Sequence, residues 1–454
     1  MESVPSPLYG EQVDFPISQT RAWIDADRAH QWHPFTQMQD WCAPDHEPLV
    51  IVSGQGTLLR DSRGREYLDG NSSIWTNLHG HNHPRINAAI ARQLEAFAHT
   101  SFLGLTHPPA IELGAELVKL FPAETLTRVF FSDDGSTAIE AALRMARQYW
   151  QLVGQPERRR FLSFENAYHG DTLGAASLGG IPLFRQPLAG EGSENVLRVG
   201  GVHTLEALDE AEVGTLAAAI IEPLIQGAAG MRVWPEGTLR KLRAWCDQHG
   251  VLLILDEVMT GFGRTGTMFA CEQEEVLPDF LCLAKGLTGG YLPLAATLTT
   301  ERVYAAFLGE YRERKTFFYG HSYTGSALGC AAALASLAVF REEDVLTRVR
   351  ARIEQFAHLL ETWLASLPHV AEIRRCGFIA GIELMADPTK RQPFAWEAQT
   401  GARVCVAARE HGLLTRPIGD TLVLMPPFCT TEEELAQMVE ALRRGILAVC
   451  GGGG

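Results

Sequence analysis

Apolar segments rich in β-branched residues alternate with helical segments through the middle of the chain. They occupy positions 128–132, 161–164, 218–222 and 251–256. This alternation predicts βαβ units, because parallel strands need a long crossover connection between them. The segment 251–255 is apolar at every position, which predicts a strand buried on both faces. We therefore expect a large α/β unit built on a mostly parallel sheet.

The pattern changes beyond about residue 335. Apolar residues then recur alternately three and four positions apart, which predicts one long amphipathic helix that Pro368 ends. The stripe consists of Leu346, Val349, Ile353, Phe356, Leu360, Trp363 and Leu367. We expect short strands at 373–384 and 421–425.

The spacing Thr431-x-x-Glu434 is a capping box that opens a last helix. These C-terminal elements, joined by the N-terminal segment, predict a smaller α/β domain built from both termini. The expected organisation is an N-terminal segment at 1–70 that contributes to this small domain, a large cofactor-binding domain at 71–335, and the C-terminal small domain at 336–454.

Composition and charge exclude several partners. The chain has 454 residues and a formal net charge of −15. It has no block of basic residues, which argues against sequence-independent binding of nucleic acid or anionic membranes. Small molecules are the expected partners.

The cysteines and the two ends of the sequence predict a cytoplasmic location. The nine cysteines are scattered without a Cys-x-x-Cys pair, which predicts free thiols in a reducing compartment. Residues 1–15 lack the order of a signal peptide, and no apolar run approaches membrane-spanning length. The glycines at 451–454 are expected to form a flexible tail.

Two acids and one lysine follow apolar strands. Asp256 and Glu257 end the segment 251–255, at the sheet edge where open α/β folds bind ligands. Such acids either terminate a strand or hold a pyridinium nitrogen protonated. Lys285 ends a second apolar segment beside glycines, 29 residues after Asp256. It is either a solvated charge or an amine in a dry site, as a Schiff-base lysine requires.

Two further motifs follow strands. Gly135, Ser136 and Thr137 begin a predicted helix, whose free N–H groups suit a phosphate but would equally fit an ordinary helix cap. Tyr168 lies in a glycine-rich loop after the next strand, and it either stacks on a flat ring or packs in a turn.

The order of these four motifs resembles the class III branch of the fold-type I pyridoxal 5′-phosphate (PLP) aminotransferases, over roughly residues 30–430. The resemblance implies that Lys285, Asp256 and Tyr168 are catalytic, with PLP as the cofactor. By the same resemblance Gly135 and Ser136 bind the phosphate. Tyr168 stacks on the ring, Asp256 pairs with its nitrogen and Val258 packs beneath it, while Glu222 and Gln226 lie on a strand near the site.

Within this class, Gln31-Trp-His-Pro-Phe-Thr-Gln-Met38 resembles the signature of the 7,8-diaminopelargonic acid synthases of biotin biosynthesis. The resemblance implies a homodimer in which Ser322 reaches the cofactor phosphate of the partner subunit. It also implies that Arg416 binds the carboxylate of 8-amino-7-oxononanoate, which arginine's fork suits. The other implied substrate-binding residues are Phe35, Ile74, Trp75 and Gly320.

Two amino donors fit the resemblance, and L-lysine is expected ahead of S-adenosylmethionine. Phe35 and Ile74 stand where many such synthases have Tyr and Trp, which favours L-lysine, whereas Trp32 and Trp75 favour S-adenosylmethionine through stacking and cation–π attraction. A different class III enzyme, acting on ornithine, 4-aminobutyrate or ω-amino acids broadly, would share Lys285 and Asp256. A non-catalytic interaction protein on the same fold would have little reason to keep lysine, acid and phosphate seat together.

Overall fold

The structure is a computed structural model that describes residues 15–186 and 195–451. The segment 1–15, which is expected to lack a signal peptide, lies outside these residues except for Phe15, and so do the glycines at 452–454.

The helices of the described residues are α1 (Ile17–His30), α2 (Met38–Trp41), α3 (Ser72–Trp75), α4 (Pro84–Ala96), α5 (Pro108–Val118), α6 (Gly135–Leu152), α7 (Leu173–Leu178), α8 (Pro182–Arg185), α9 (Glu210–Val213), α10 (Thr238–His249), α11 (Glu301–Ala306), α12 (Ala327–Glu342), α13 (Val345–Trp363), α14 (Thr400–Arg409) and α15 (Glu432–Cys450). The strands are β1 (Ile51–Gln55), β2 (Leu58–Asp61), β3 (Glu66–Asp69), β4 (Arg128–Ser132), β5 (Arg160–Phe164), β6 (Val196–Val199), β7 (Leu216–Ile221), β8 (Ile225–Gln226), β9 (Arg232–Val233), β10 (Leu252–Asp256), β11 (Phe280–Leu283), β12 (Ala295–Thr299), β13 (Val370–Cys376), β14 (Ile379–Leu384), β15 (Leu413–Leu414), β16 (Pro417–Ile418) and β17 (Thr421–Leu424).

The largest sheet has seven strands in the order β4-β12-β11-β10-β7-β5-β6. The strands from β11 to β6 pair in parallel, and β12 runs antiparallel to both of its neighbours. The mostly parallel sheet and the fold class are therefore confirmed.

Both faces of this sheet are covered by apolar side chains. Along β10, Leu253 and Leu255 belong to one buried cluster, and Leu252 and Ile254 belong to another. Because side chains alternate across a strand, the two clusters lie on opposite faces of the sheet. This burial explains why the sequence of β10 has no polar position before Asp256.

Residues from the two halves of the chain share a smaller sheet. Strand β3 pairs in parallel with β15, and the order is β1-β2-β3-β15. A second small sheet has the antiparallel order β13-β14-β17-β16. The boundaries 1–70, 71–335 and 336–454 stay a prediction.

Two local expectations can be compared with the structure in detail. The long amphipathic helix is α13, which ends at Trp363 instead of at Pro368, so Leu367 lies beyond it. The capping box of α15 forms as expected: Thr431 Oγ accepts from the Glu434 N–H, and Glu434 accepts from the Thr431 N–H. Every helix of the described residues is too short or too polar to cross a membrane.

Candidate active site

A cavity of about 410 Å³ opens where the strands of the large sheet end. Strands β4, β5, β7, β10 and β11 all end at this edge, and each carries a cavity residue at its last position or within four residues of it. The lining includes Trp75, Asp133, Asp134, Gly135, Ser136, Tyr168, His169, Glu222, Asp256, Val258 and Lys285. The edge of an open α/β sheet is a usual ligand site.

Asp256 is the last residue of β10, and its carboxylate is held on both oxygens. Oδ1 accepts from the Val258 N–H at 3.1 Å, and Oδ2 lies 2.7 Å from Nδ1 of His169. The Asp256 side chain is 6% exposed and that of His169 is fully buried. A carboxylate fixed in this way can present its remaining lone pairs to a cationic ring nitrogen.

Lys285 begins a tight turn two residues after β11, with a φ of 40°. Its Nζ lies 4.7 Å from the centroid of the Trp75 ring. Burial lowers the pKa of Lys285, while the charges of Asp256 and Glu222 raise it. Since burial is the largest cause, the neutral amine is favoured relative to an exposed lysine, and the neutral amine is the nucleophile and the base.

The N-terminus of α6 lies on the cavity wall. Asp134 accepts from the Thr137 N–H at 2.9 Å and caps the helix. A Cβ atom at position 135 would lie 2.6 Å from Cγ1 of Val258, so only glycine fits there without a shift. Among the described residues, the Gly135 and Ser136 N–H groups have no acceptor, which leaves them free for an anion.

Tyr168 and Glu222 meet on a third side of the cavity. The Tyr168 hydroxyl donates to Asp171 at 2.7 Å, and its backbone N–H donates to Glu222 at 3.0 Å. Burial and the hydrogen bond to Asp171 raise the pKa of Tyr168. Glu222 is buried and also accepts from the Gly227 N–H at 3.0 Å. Burial raises the pKa of Glu222 to about 7.

This donor set fits PLP on its own geometry. The cavity offers an anion seat at the start of α6, a fixed carboxylate at Asp256 and a buried amine at Lys285. It also holds an aromatic ring, Tyr168, and an aliphatic side chain, Val258. Glycine at 135 allows the close packing of Val258 against the anion seat.

Of the remaining candidates, only Trp75 lies on the cavity wall. Trp75 is buried on the cavity wall, whereas Ile74 is 43% exposed and outside the lining. Phe35 is 63% exposed and packs edge-on against Phe184, whose ring also contacts Tyr168. The structure does not bring three other candidates to the cavity wall of the single chain. They are Gly320, Ser322 and Arg416, and all three are exposed.

His169 is a site residue to which no sequence motif assigns a role. It lies next to Tyr168 in the same loop, and its ring contacts Asp256. The only signal in the sequence was that His169 directly follows Tyr168, which was expected to stack on a ring. Both residues lie in a loop after one of the predicted parallel strands. This signal does not reveal that the His169 ring contacts Asp256.

Comparisons with known proteins agree with this geometry. The model of the family "Aminotransferase class-III" matches residues 42–446. The adenosylmethionine-8-amino-7-oxononanoate aminotransferase of Nitratidesulfovibrio vulgaris is 51% identical over 95% of this chain and 83% of its own length. The protein of the same name from Geobacter sulfurreducens is 46% identical over 96% of this chain and 100% of its own.

A solved structure supports the same conclusion. The crystal structure of the enzyme of that name from Methanocaldococcus jannaschii superposes with a TM-score of 0.90 and 40% identity, covering 94% of this chain and 99% of the other. The chain therefore belongs to the class III aminotransferases and is a PLP-dependent enzyme.

Proposed function

We propose that this enzyme transfers an amino group to 8-amino-7-oxononanoate and forms 7,8-diaminononanoate, a step of biotin biosynthesis, with S-adenosylmethionine as the donor. The observation that carries the reaction class is one cavity that holds a buried lysine amine, Lys285, and a fixed carboxylate, Asp256. The substrates are supported by the names of the relatives that are 40% to 51% identical.

Each group at the cavity has a distinct chemical task in this proposal. PLP supplies the electron sink that stabilises negative charge on the reacting carbon. Asp256 keeps the proton on the ring nitrogen, because its carboxylate is anchored by the Val258 N–H and His169. Lys285 holds the cofactor between turnovers and moves the proton at the reacting carbon, since its amine is buried within the same cavity.

The walls of the cavity hold and orient the cofactor. Gly135 and Ser136 bind the phosphate through the N-terminus of α6, which is 18 residues long. Tyr168 would stack on one face of the ring, and Val258 would pack on the other. Both side chains line the cavity, which supports this arrangement.

A homodimer completes the site in this proposal. Ser322 is exposed in the single chain, so a second copy can place its own Ser322 at the phosphate. Several large apolar side chains near Ser322 and before α5 are also exposed, which suits a contact between two copies. They are Leu103, Leu105, Phe318 and Tyr323.

Arg416 binds the carboxylate of the oxononanoate in this proposal. Its side chain is exposed and forms no ion pair with any described residue, so its guanidinium remains available. Trp75 lines the cavity, and Phe35, Ile74 and Gly320 are the other substrate-binding residues in this proposal. We place the reaction in the cytoplasm, which is supported by nine free cysteines.

The choice of donor is supported by the relatives' names and by Trp75, whose ring lines the cavity and offers a π face that would suit a sulfonium. L-lysine is the second candidate, because Ile74 is less aromatic than Trp and Phe35 is less polar than Tyr would be at these positions.

The test supplies purified holoenzyme with 8-amino-7-oxononanoate and one donor at a time: S-adenosylmethionine, L-lysine, ornithine or 4-aminobutyrate. Formation of 7,8-diaminononanoate is followed by mass spectrometry, and each donor half-reaction by loss of the cofactor's absorption band. Product with S-adenosylmethionine supports the proposal. If product forms only when lysine is the donor, S-adenosylmethionine is rejected as the donor and the acceptor assignment is retained. If a donor transfers its amino group but no oxononanoate is converted, the proposed function is rejected.

A further inference from the structure

The short α3 turn, which carries Trp75 into the cavity, has an unusual backbone. Ser72, Ser73 and Trp75 have φ values of 46°, 61° and 67°. Non-glycine residues rarely adopt positive φ, and such conformations persist only where the surroundings hold them. The source of that restraint therefore bears on where the Trp75 ring lies.

Asp69, the last residue of β3, restrains this turn, together with a hydrogen bond of 2.7 Å from the Ser72 hydroxyl to the Met425 carbonyl. Its two carboxylate oxygens lie 2.8 and 2.7 Å from the Ser73 backbone nitrogen, which donates to them, and Oδ1 also accepts from the Asn71 N–H at 3.3 Å. Asn71 in turn accepts from Nε1 of Trp75 at 2.9 Å. One buried carboxylate thus holds the turn, and the turn's own asparagine holds the indole.

His81 holds the carboxylate from the other side. Its Nε2 donates to Oδ2 of Asp69 at 2.9 Å, and its Nδ1 accepts from the Asn77 side chain at 2.9 Å. The His81 backbone pairs in both directions with Gly56, in the turn between β1 and β2. The sheet that contains β1 and β2 therefore fixes the His81 imidazole, and the imidazole in turn restrains the Asp69 carboxylate.

The indole itself is packed among buried side chains. Trp75 is 8% exposed and belongs to a buried apolar cluster with Ile225 and Met259, and its ring lies 4.7 Å from Nζ of Lys285. A small rotation of the α3 turn would therefore displace a wall of the cavity.

We propose that Asp69 and His81 are positioning residues for the amino-transfer reaction: they hold the strained α3 turn, and through it they set the position of the Trp75 ring against which substrates bind. Neither side chain lines the cavity, so both act through Trp75. This inference rests on the proposed function only for the choice of substrates.

The first test compares two substitutions of one residue. His81→Leu removes the donor to Asp69, whereas His81→Gln keeps an amide nitrogen near the position of Nε2. We expect His81→Leu to lower kcat/KM by about tenfold or more, mainly through KM, because small misplacements of a binding wall are costly. His81→Gln should recover most of the loss. His83→Leu is the matched control, since His83 lies two residues away and pairs with Glu343 instead.

The second test asks whether His81 acts through Trp75. In a double-mutant cycle, His81→Leu should add little to the loss caused by Trp75→Phe. Additive losses, or a lower melting temperature with unchanged KM, would overturn the proposal.

The third test needs no substrate and so separates this inference from the proposed function. Acrylamide quenching of Trp75 is obtained in the apoenzyme as the difference between each protein and its Trp75→Phe counterpart. Quenching should increase in His81→Leu and stay at the wild-type level in His81→Gln and His83→Leu. Equal quenching in all of them would reject the positioning role even if the substrates are correct.

Discussion

The Nδ1 atom of His169 lies 2.7 Å from Oδ2 of Asp256, and both side chains are withdrawn from solvent. Because Oδ1 of the same carboxylate accepts from the Val258 N–H, the plane of the carboxylate is fixed by one donor on each oxygen. His169 therefore orients the acid that the proposed mechanism needs at the ring nitrogen.

Removing this donor should slow the reaction more than it alters cofactor binding. His169→Leu is expected to lower kcat by about ten- to a hundredfold, because a hydrogen bond to a charged group contributes about 1.5–3 kcal/mol. His169→Asn is the matched variant, since its amide nitrogen can take the place of Nδ1, and it should retain most of the rate. Steady-state kcat measures the change in rate, and the cofactor's absorption band, followed as a function of pH, measures the change in the bound cofactor. Equal rates in the two variants would mean that the imidazole only fills space.

Asp256 and the next residue offer a direct comparison of two adjacent buried acids. Glu257 faces away from the cavity lining and accepts from the Ala270 and Cys271 N–H groups, both at 2.8 Å. Asp256→Asn should cost about 3 kcal/mol or more in transition-state stabilisation, because a neutral amide does not hold the pyridinium charge. Glu257→Gln should mainly lower stability. The measurements are kcat/KM and urea unfolding, and a near-normal rate in Asp256→Asn would reduce its role to ending the strand.

Lys285→Ala should abolish turnover and leave the fold nearly intact, because its amine serves chemistry more than packing. The wild-type protein should be yellow as purified, and the variant should lack the corresponding absorption band of covalently held cofactor. Lys241→Ala, on the exposed side of α10, is the control and should behave as wild type. If Lys285→Ala keeps a tenth of the activity, another group moves the proton.

The parts of this site that could be predicted are those marked by local sequence. Asp256 and Lys285 follow apolar strands, and parallel strands end at one edge, so their proximity follows from the fold. The contact between His169 and Asp256 spans 87 positions, and no local pattern encodes which imidazole meets which acid.

The same distinction holds for the fold. Strands β7 and β10 are predictable because every position of each is buried, which leaves apolar runs in the sequence. Strand β12 was missed. It runs antiparallel between β4 and β11, and this placement depends on long-range pairing that Ala295–Thr299 does not reveal. Ser322 and Arg416 were assigned through resemblance alone, since no spacing marks them.

Arg416→Ala should raise the KM for the oxononanoate far more than the KM for the donor. Loss of one partner of a charge-assisted pair costs about 1.5–3 kcal/mol, which corresponds to roughly a ten- to hundredfold change. Arg391→Ala is the control, because Arg391 is exposed in the same C-terminal part but pairs with Glu383. Separate titration of each substrate gives the two KM values, and equal damage to both half-reactions would reject the assignment.

The last prediction concerns the pH dependence of stability. Burial raises the pKa values of Glu222 and Glu257 to about 7 from a usual value of 4.5. Between these two pH values the folded state binds more protons than the unfolded state, so each group makes the free energy of unfolding fall as pH rises from 4.5 to 7. A pKa difference of this size corresponds to about 3 kcal/mol in the free energy of unfolding per group. This contribution is fully present below pH 4.5 and is lost as the pH rises to 7.

Glu222→Gln should therefore flatten the fall in stability between pH 4.5 and 7, because an amide does not titrate, even though the variant starts from a lower stability. Urea unfolding of the apoenzyme at half-unit pH steps gives the slope. Glu236→Gln is the control, since the Glu236 side chain is 94% exposed, and its slope should match that of wild type. An unchanged slope in Glu222→Gln would mean that the Tyr168 and Gly227 N–H groups keep this carboxyl ionised in spite of its burial.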